Sequence, residues 1–259
     1  MSSPVALPAV LAIDIGATSI KMADVSAAGA ILGSVRRRLT PYPCTPERLV
    51  VWLSERITRR GINRVGIGFP GETSEGVVIA PGNLARPSGI TSASDSSIDA
   101  LWRGFALEHV LCDRTRHDVR VVNDAALAAL GSSTGQGREL VLTLGTGFGV
   151  ALLVDGQLQV IPDYGQRSLG GGHTFDQALG ERARADNAVL WQESLRAAII
   201  ALASEWEASL VHLAGGNSQR LKAGSFSSGK TAVTIQGNRA PLRGAARLFE
   251  GWLATPPMG

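Results

Sequence analysis

The sequence predicts an α/β protein built as two related halves, and three observations carry that expectation. Residues 11–32 (LAIDIGATSIKMADVSAAGAIL) and residues 140–160 (LVLTLGTGFGVALLVDGQLQV) echo each other. Each is an apolar run, a tight turn rich in Gly and Thr, a second apolar run, and a Gly-containing turn into a third. Gly16 falls on Gly145, and Gly29 falls near Gly156. Strands and helices then alternate through the second half, which is the pattern of an α/β class. Finally, 259 residues at 44% hydrophobic and 18% charged are enough for one large core or two modest ones.

The elements follow in order. Residues 10–15, 19–25 and 30–39 read as an antiparallel meander. Residues 45–60 read as a helix, with Leu49, Trp52, Leu53 and Ile57 on one face and Gly61 as the stop. Residues 64–69 form a buried strand ending at Pro70-Gly71, and 76–80 form another. The Ser-rich stretch 86–100 shows no period; it is a floppy linker or a loop that orders over a ligand. A helix is expected over 101–111. The strand 118–122 runs into Asn123-Asp124 and a helix over 125–130. After the second meander comes a Gly170-Gly171-Gly172 loop. Residues 187–210 place Trp191, Leu195, Ala198, Ile199, Leu202 and Trp206 at helical spacing. A short strand over 210–213 leads into Gly215-Gly216-Asn217 and a helix start. Residues 231–235 are a last strand, and Pro241 opens a final helix with Leu242, Ala245, Leu248, Phe249 and Trp252 on one face.

Bulk properties narrow the function. A net charge of +3 is too small to argue for nucleic acid, though it would help attract an anionic substrate. The first residues lack a basic flank and run into a strand, so no signal peptide is expected. No window has the apolar length of a membrane span. Cys44 and Cys112 are isolated, which implies neither a disulfide framework nor a Cys-based zinc site. A cytoplasmic protein is the default expectation.

A Gly/Thr turn between two strands points backbone N–H groups into one concavity that suits phosphate oxygens. Two ordinary hairpins would explain either turn alone. The pair, with Asp14 before the first, favours two halves facing each other across a phosphate-filled cleft. Asp14 is then a candidate to hold Mg²⁺ through water; an Asx-turn is the plainer alternative. Lys21 reaches a phosphate or is a solvated strand lysine. Asp124, at the carboxyl end of a strand, is placed to accept a proton from a substrate hydroxyl while a phosphoryl group arrives in line. A helix N-cap is its alternative. Gly215-Gly216-Asn217 would let a base or ribose approach the backbone, or is a plain strand–helix turn. His173 and Asp176 are a conceivable metal pair, with a polar loop histidine the plainer account. Arg36-Arg37-Arg38 and Arg59-Arg60 could meet a polyanion; a solvated edge strand and helix end explain them more simply.

Taken together and in order, these segments resemble the ROK family of sugar kinases, within the actin/hexokinase/Hsp70 ATPase superfamily. Residues 13–21 (IDIGATSIK) look like the first phosphate motif, and 65–84 (VGIGFPGETSEGVVIAPGNL) like the strand and sugar-side loop. Residues 119–131 (VRVVNDAALAALG) look like the segment with the catalytic Asp, 142–156 (LTLGTGFGVALLVDG) like the second phosphate motif, and 213–221 (LAGGNSQRL) like the adenosine motif. The similarity is greatest to the short members, glucokinases and polyphosphate-type glucokinases.

The resemblance implies two actin-like (ribonuclease H-like) lobes around a nucleotide and sugar cleft. Residues 1–118 would form the N-terminal lobe, completed by a C-terminal helix over 241–259, and 119–240 the C-terminal lobe. It implies transfer of the γ-phosphate of ATP, or of a polyphosphate end, to O6 of a hexose. Asp124 would be the base. Asn83, Asn123, Asp163, Gln166 and Gly71 would face the sugar. Asp14, Gly16, Thr18, Lys21, Gly145, Thr146, Gly147, Gly149, Gly215, Gly216 and Asn217 would face the donor, with Asp14 also on Mg²⁺.

Two departures stand out. The zinc-binding cysteine cluster of longer members is missing, so no zinc is expected. The Glu-x-Gly-His sugar clamp falls on Asp163-Tyr164-Gly165-Gln166, where Asp is one methylene short and Gln stands for His. Expected partners are a small sugar, no nucleic acid and no membrane, with a second copy of the chain as a candidate homodimer partner. The rivals are a degenerate, non-catalytic sugar- or nucleotide-binding regulator and a kinase of a non-glucose substrate. A repressor is disfavoured because no helix-turn-helix precedes the first strand.

Overall fold

The computed structural model describes residues 9–222, 224–226 and 231–250. These fall into two compact units, one running through Leu127 and again over Pro241–Glu250, the other over Ala128–Ala240.

In the first unit, β1 (Val10–Ile15), β2 (Ser19–Val25) and β3 (Ile31–Leu39) form the expected antiparallel meander, with Asp14 opposite Lys21 and Lys21 opposite Arg37. Every residue of β1 is buried, as a central strand requires. Thr45 caps α1 (Pro46–Ile57) by accepting the Arg48 N–H, and Pro46 suits the first helical turn. That helix buries Leu49, Val50, Leu53 and Ile57. Each contributes about 1.5–3 kcal/mol of transfer free energy. β4 (Arg64–Phe69) lies parallel to β1; β5 (Glu72–Ser74) and β6 (Val77–Ala80) form a small hairpin. After α2 (Ser96–Trp102) and α3 (Leu107–Thr115), β7 (Asp118–Asn123) joins the sheet parallel to β4 and leads into α4 (Asp124–Ser132). The strand order is β3-β2-β1-β4-β7.

The second unit repeats this plan. β8 (Arg138–Leu144), β9 (Phe148–Val154) and β10 (Gln157–Gln159) are an antiparallel meander. β11 (Ser168–Gly170) and β12 (His173–Thr174) are a two-stranded hairpin whose turn uses left-handed glycines, Gly171 at φ +62° and Gly172 at +81°. After α5 (Phe175–Leu179), α6 (Glu181–Asp186) and α7 (Ala188–Glu205), β13 (Leu210–Ala214) lies parallel to β8 and β14 (Ala232–Gly237) parallel to β13. The order β10-β9-β8-β13-β14 matches the first sheet position for position. Buried Glu139 at the start of β8 pairs with His212 at 2.7 Å and accepts the Thr134 and Gly135 N–H groups, fixing the turn that follows α4.

Several boundaries differ from expectation, each for a physical reason. Residues 86–100 are not a plain loop: they hold a 3₁₀ turn at Gly89–Thr91 and the start of α2, capped by the Asp95 carboxylate on the Ser97 and Ile98 N–H groups. A 3₁₀ turn at Gly82–Ala85 comes just before them. The single helix expected over 101–111 is two helices. Between them the Val78 N–H bonds the Phe105 carbonyl and the Gly104 N–H bonds the Val78 carbonyl, so this backbone bridges to β6 instead. The helix expected to reach residue 210 stops at Glu205, with Glu207 left-handed at φ +51°. The helix start at Asn217 is a 3₁₀ turn, Asn217–Arg220.

The final helix is also shorter, Ala240–Gly244 followed by a 3₁₀ turn over Ala245–Phe249; Trp252 lies outside the described residues. That segment packs so closely on β4 that a Cβ at Gly66 would sit 2.8 Å from Ala245 Cβ. The chain passes into the second unit after Leu127 rather than at 118, because β7 pairs with β4 and belongs to the first sheet.

Candidate functional site

In the first unit the Gly16-Ala17-Thr18 turn is held by its carbonyls. Thr40 Oγ1 donates to Gly16 O at 2.6 Å, Tyr42 Oη to Ala17 O at 2.7 Å, and the Thr40 N–H to Thr18 O at 3.2 Å. Burial pushes the Tyr42 phenol up to about 12, with the Cys44 thiol adding to the rise, so it remains a donor. The Gly16 N–H closes the turn on Ser19 O, which a Cβ at Gly16 would approach to 3.0 Å. Among the described residues the N–H groups of Ala17 and Thr18 meet no protein acceptor. This is the donor pair an anion needs.

Asp14 and Lys21, cross-strand neighbours, form an ion pair at 2.8 Å (Nζ to Oδ2). Lys21 is therefore not a freely solvated strand lysine. Arg37 continues the row and donates from Nε to Ser19 Oγ at 2.8 Å.

At the end of β7 the division of labour is clear. Asn123 Oδ1 caps α4, accepting the Ala125 N–H at 2.9 Å and the Ala126 N–H at 3.3 Å, while its Nδ2 donates to Gly71 O at 2.9 Å. The cap is thus Asn123, and Asp124 is relieved of it. Burial drives the Asp124 carboxyl up to about 7, and the Asp14 carboxylate adds to the rise; the Ala125 N–H, Lys21 and its own N–H oppose it. Gly71 is needed for close approach, since a Cβ there would lie 2.2 Å from Ala80 O. Asn83 sits in the 3₁₀ turn Gly82–Ala85, its Oδ1 accepting Arg86 Nε at 3.0 Å.

In the second unit the Gly145-Thr146-Gly147 turn is held from further away. Gly145 N–H bonds Gly147 O, Asn217 Nδ2 donates to Gly145 O at 3.2 Å, and the Glu181 N–H to Thr146 O at 3.3 Å. The Thr146 and Gly147 N–H groups, like those of the first turn, meet no acceptor among the described residues. A Cβ at Gly145 would enter open space. Gly149 lies within β9 opposite Thr143.

Asp176 was expected at most as half of a metal pair with His173. Instead its Oδ1 accepts the Phe148 N–H at 2.6 Å and its Oδ2 the Gln166 amide at 3.0 Å. Burial raises its pKa, the Phe148 N–H lowers it, and the Asp163 carboxylate raises it further. His173 is exposed on β12, and no cluster of three metal-ligating side chains occurs among the described residues. Asp163 Oδ1 accepts the Gly165 N–H at 2.9 Å. Tyr164 anchors this loop, donating to Glu205 at 2.6 Å and accepting the Trp206 indole N–H at 2.8 Å.

Gly215 is left-handed (φ +87°) and packs on β8, where a Cβ would come 2.4 Å from Leu144 O; Gly216 faces open space. Sequence reasoning missed Thr40, Tyr42 and Glu181 as supports of the two turns. Only the Thr174…Gln177 capping box, which starts α5 beside Asp176, left a readable signal.

The ROK family model matches residues 10–173. A polyphosphate glucokinase of Mycobacterium leprae is 28% identical over 175 residues, covering 64% of this chain and 50% of that protein. A glucokinase of Thermotoga maritima is 31% identical over 154 residues, covering 57% and 45%. The match thus spans about half the length of these curated relatives. The crystal structure of an inorganic polyphosphate/ATP-glucomannokinase from an Arthrobacter species superposes with a TM-score of 0.77 at 27% identity, covering 93% of this chain and 98% of that one. With the repeated sheet, the paired turns and a family match over more than half its length, the chain belongs to the ROK family.

Proposed function

We propose that this protein is a kinase that moves the γ-phosphate of ATP, or the terminal phosphate of inorganic polyphosphate, to a hexose hydroxyl in the manner of a glucokinase. The observation that carries this reading is Asp124. It is a carboxylate at a strand end, freed from helix capping by Asn123 and poised near neutrality, which is what a general base working at physiological pH requires. Asp124 would take the hydroxyl proton as the sugar oxygen forms its bond to phosphorus and the donor's bridging P–O bond breaks. The unpaired N–H groups of each turn suit phosphate oxygens, and the Asp14–Lys21 pair would set the local charge beside the first.

Asp14, a carboxylate close enough to Asp124 to raise its pKa, also fits Mg²⁺, which takes one or two carboxylates together with phosphate oxygens and water. Asp14 would hold it through water, and the ion, when bound, would neutralise charge on the transferred phosphoryl group.

One observation favours a hexose other than glucose. Asp163 is engaged by the Gly165 N–H and Gln166 by Asp176 of α5, so the residues at the clamp positions already have partners. The test is a panel of hexoses and polyols with Mg-ATP or polyphosphate, read by sugar-phosphate formation. Turnover of at least one hexose is expected. No turnover with either donor, alongside unimpaired ATP binding, would leave a binding-only regulator.

A further inference from the structure

The motif that the catalytic reading leaves unused is the arginine-rich one. Residues 36 and 38 of β3 share a face, because side chains alternate along a strand. They meet Arg56, from the last turn of α1, and Arg59 and Arg60 just beyond it. Together the five arginines, with Leu11 and Met22, line a cavity of about 230 Å³. A helix C-terminus attracts cations and so accounts for the second group. It does not account for the two from β3.

Acidic compensation is thin. Asp24 pairs with Arg60 at 2.8 Å and Glu55 approaches Arg56 at 3.6 Å. Among the described residues no carboxylate pairs with Arg36, Arg38 or Arg59. The crowding has a cost: Arg56 is shifted down by burial, and Arg59 and Arg38 add to the shift against the opposing Glu55. A bound polyanion would relieve it, and arginine forks match phosphate oxygens two at a time.

We propose that this groove is a docking site for the chain of inorganic polyphosphate, distinct from the turn that would hold the reacting phosphate. The proposal rests on the polyphosphate half of the donor reading above. One feature favours polyphosphate over nucleic acid. The aromatic ring at the groove, Trp52, is already covered by Arg56 at 3.6 Å from its centroid, so it offers no stacking platform for a base. The groove also lies at an edge: Arg36 and Arg38 are on the face of β3 opposite Arg37, Lys21 and Asp14, so a chain reaching the phosphate turn would pass round the edge strand. β3 is the edge of its sheet, and Thr40, just after its last residue, bonds Thr18 of the first phosphate turn. Arg36 lies three residues from that strand end, about 10 Å at ~3.3 Å per residue. A run of several phosphates covers that distance.

The experiment measures binding of long-chain polyphosphate, tripolyphosphate and Mg-ATP to the full chain at two salt concentrations. It compares the parent with R38A/R59A and with R114A/R182A, which removes the same charge elsewhere. R38Q/R59Q, which keeps most of the stems, replaces R38A/R59A if that variant melts early. Long-chain affinity should fall roughly 10-fold in R38A/R59A, with a flatter salt dependence, and stay unchanged in R114A/R182A. Tripolyphosphate and Mg-ATP binding should be the same in all three. Equal losses in both double variants would overturn the proposal. So would a single-stranded oligonucleotide that binds the parent tightly and is lost by the same factor. If no hexose is phosphorylated, the kinase reading fails while a selective loss of polyphosphate binding still supports the groove. If hexose turnover with polyphosphate is normal and binding is unchanged, the groove alone fails.

Discussion

The two units share one strand order, yet they support their Gly/Thr turns in different ways. The first turn is held by Thr40 and Tyr42, which follow directly from the same meander. The second is held by Glu181 and Asn217, with Asp176 fixing the first residue after it; all three come from segments well beyond the meander. A duplicated scaffold has kept the element that presents N–H groups and changed what braces it. The first turn is therefore locally self-sufficient, whereas the second depends on the whole run from α5 to the 3₁₀ turn after β13. The chemistry is also unequal: the carboxylate shifted to about 7 belongs to the first unit.

The sharpest break of this asymmetry is Asp124→Asn. It should lower kcat by ~10²–10⁴-fold, the usual range for a positioned acid–base group. Its stability should move the other way. A carboxyl whose folded pKa lies above its unfolded value binds protons more tightly when folded, so its contribution to stability is present at low pH and is lost as pH rises from about 4 to about 7. Removing it should raise the Tm by a few degrees at pH 8 and by less at pH 5. A lower Tm at pH 8 would show that Asp124 is structural. If Asp124 is the base, the parent protein should lose activity about tenfold per unit below pH ~7 and level off above, because the carboxylate must be ionised. A flat profile from pH 5 to 8 would contradict this.

Gly147→Val tests the second turn. A Cβ there would lie 2.8 Å from Asp176 Oδ1, so the variant should displace that carboxylate from the Phe148 N–H and abolish thermal stabilisation by Mg-ATP. Retained stabilisation would mean the turn does not bind donor. Asp163→Glu with Gln166→His should raise kcat/KM for glucose several-fold, since a longer carboxylate regains reach; no gain would place the sugar clamp elsewhere. The smallest effects belong to the braces. Tyr42→Phe, which loses the bond to Ala17 O, and Asn217→Ala, which loses those to Gly145 O and to Glu181, should each cost about 1 kcal/mol by thermal or denaturant unfolding. Asn217→Ala should also weaken Mg-ATP binding, and Tyr42→Phe should leave it nearly intact.

Much of this was legible in the sequence. The period-two runs and glycines of both meanders, and the strands at Arg64–Phe69 and Asp118–Asn123, announced themselves because burial demanded apolar side chains there. Asn123-Asp124 was legible as a pair but not as a division of roles, since either residue can cap a helix; geometry alone assigns the cap to Asn123. The Ser-rich segment hid α2 because Asp95, its capping residue, looks like any polar loop residue. The braces of the turns were invisible for a different reason. Tyr42 and Asn217 act on residues 25 and 72 positions away, and no local pattern encodes a contact of that span.

The Asn123 cap has an evolutionary consequence. Because α4 begins on Asn123, the neighbouring carboxylate can change without unravelling the helix. Folding and turnover are thereby separable at adjacent positions. If the proposed phosphoryl transfer runs through Asp124, a lineage could lose it by one nucleotide change in that codon and keep a folded protein for selection to redirect.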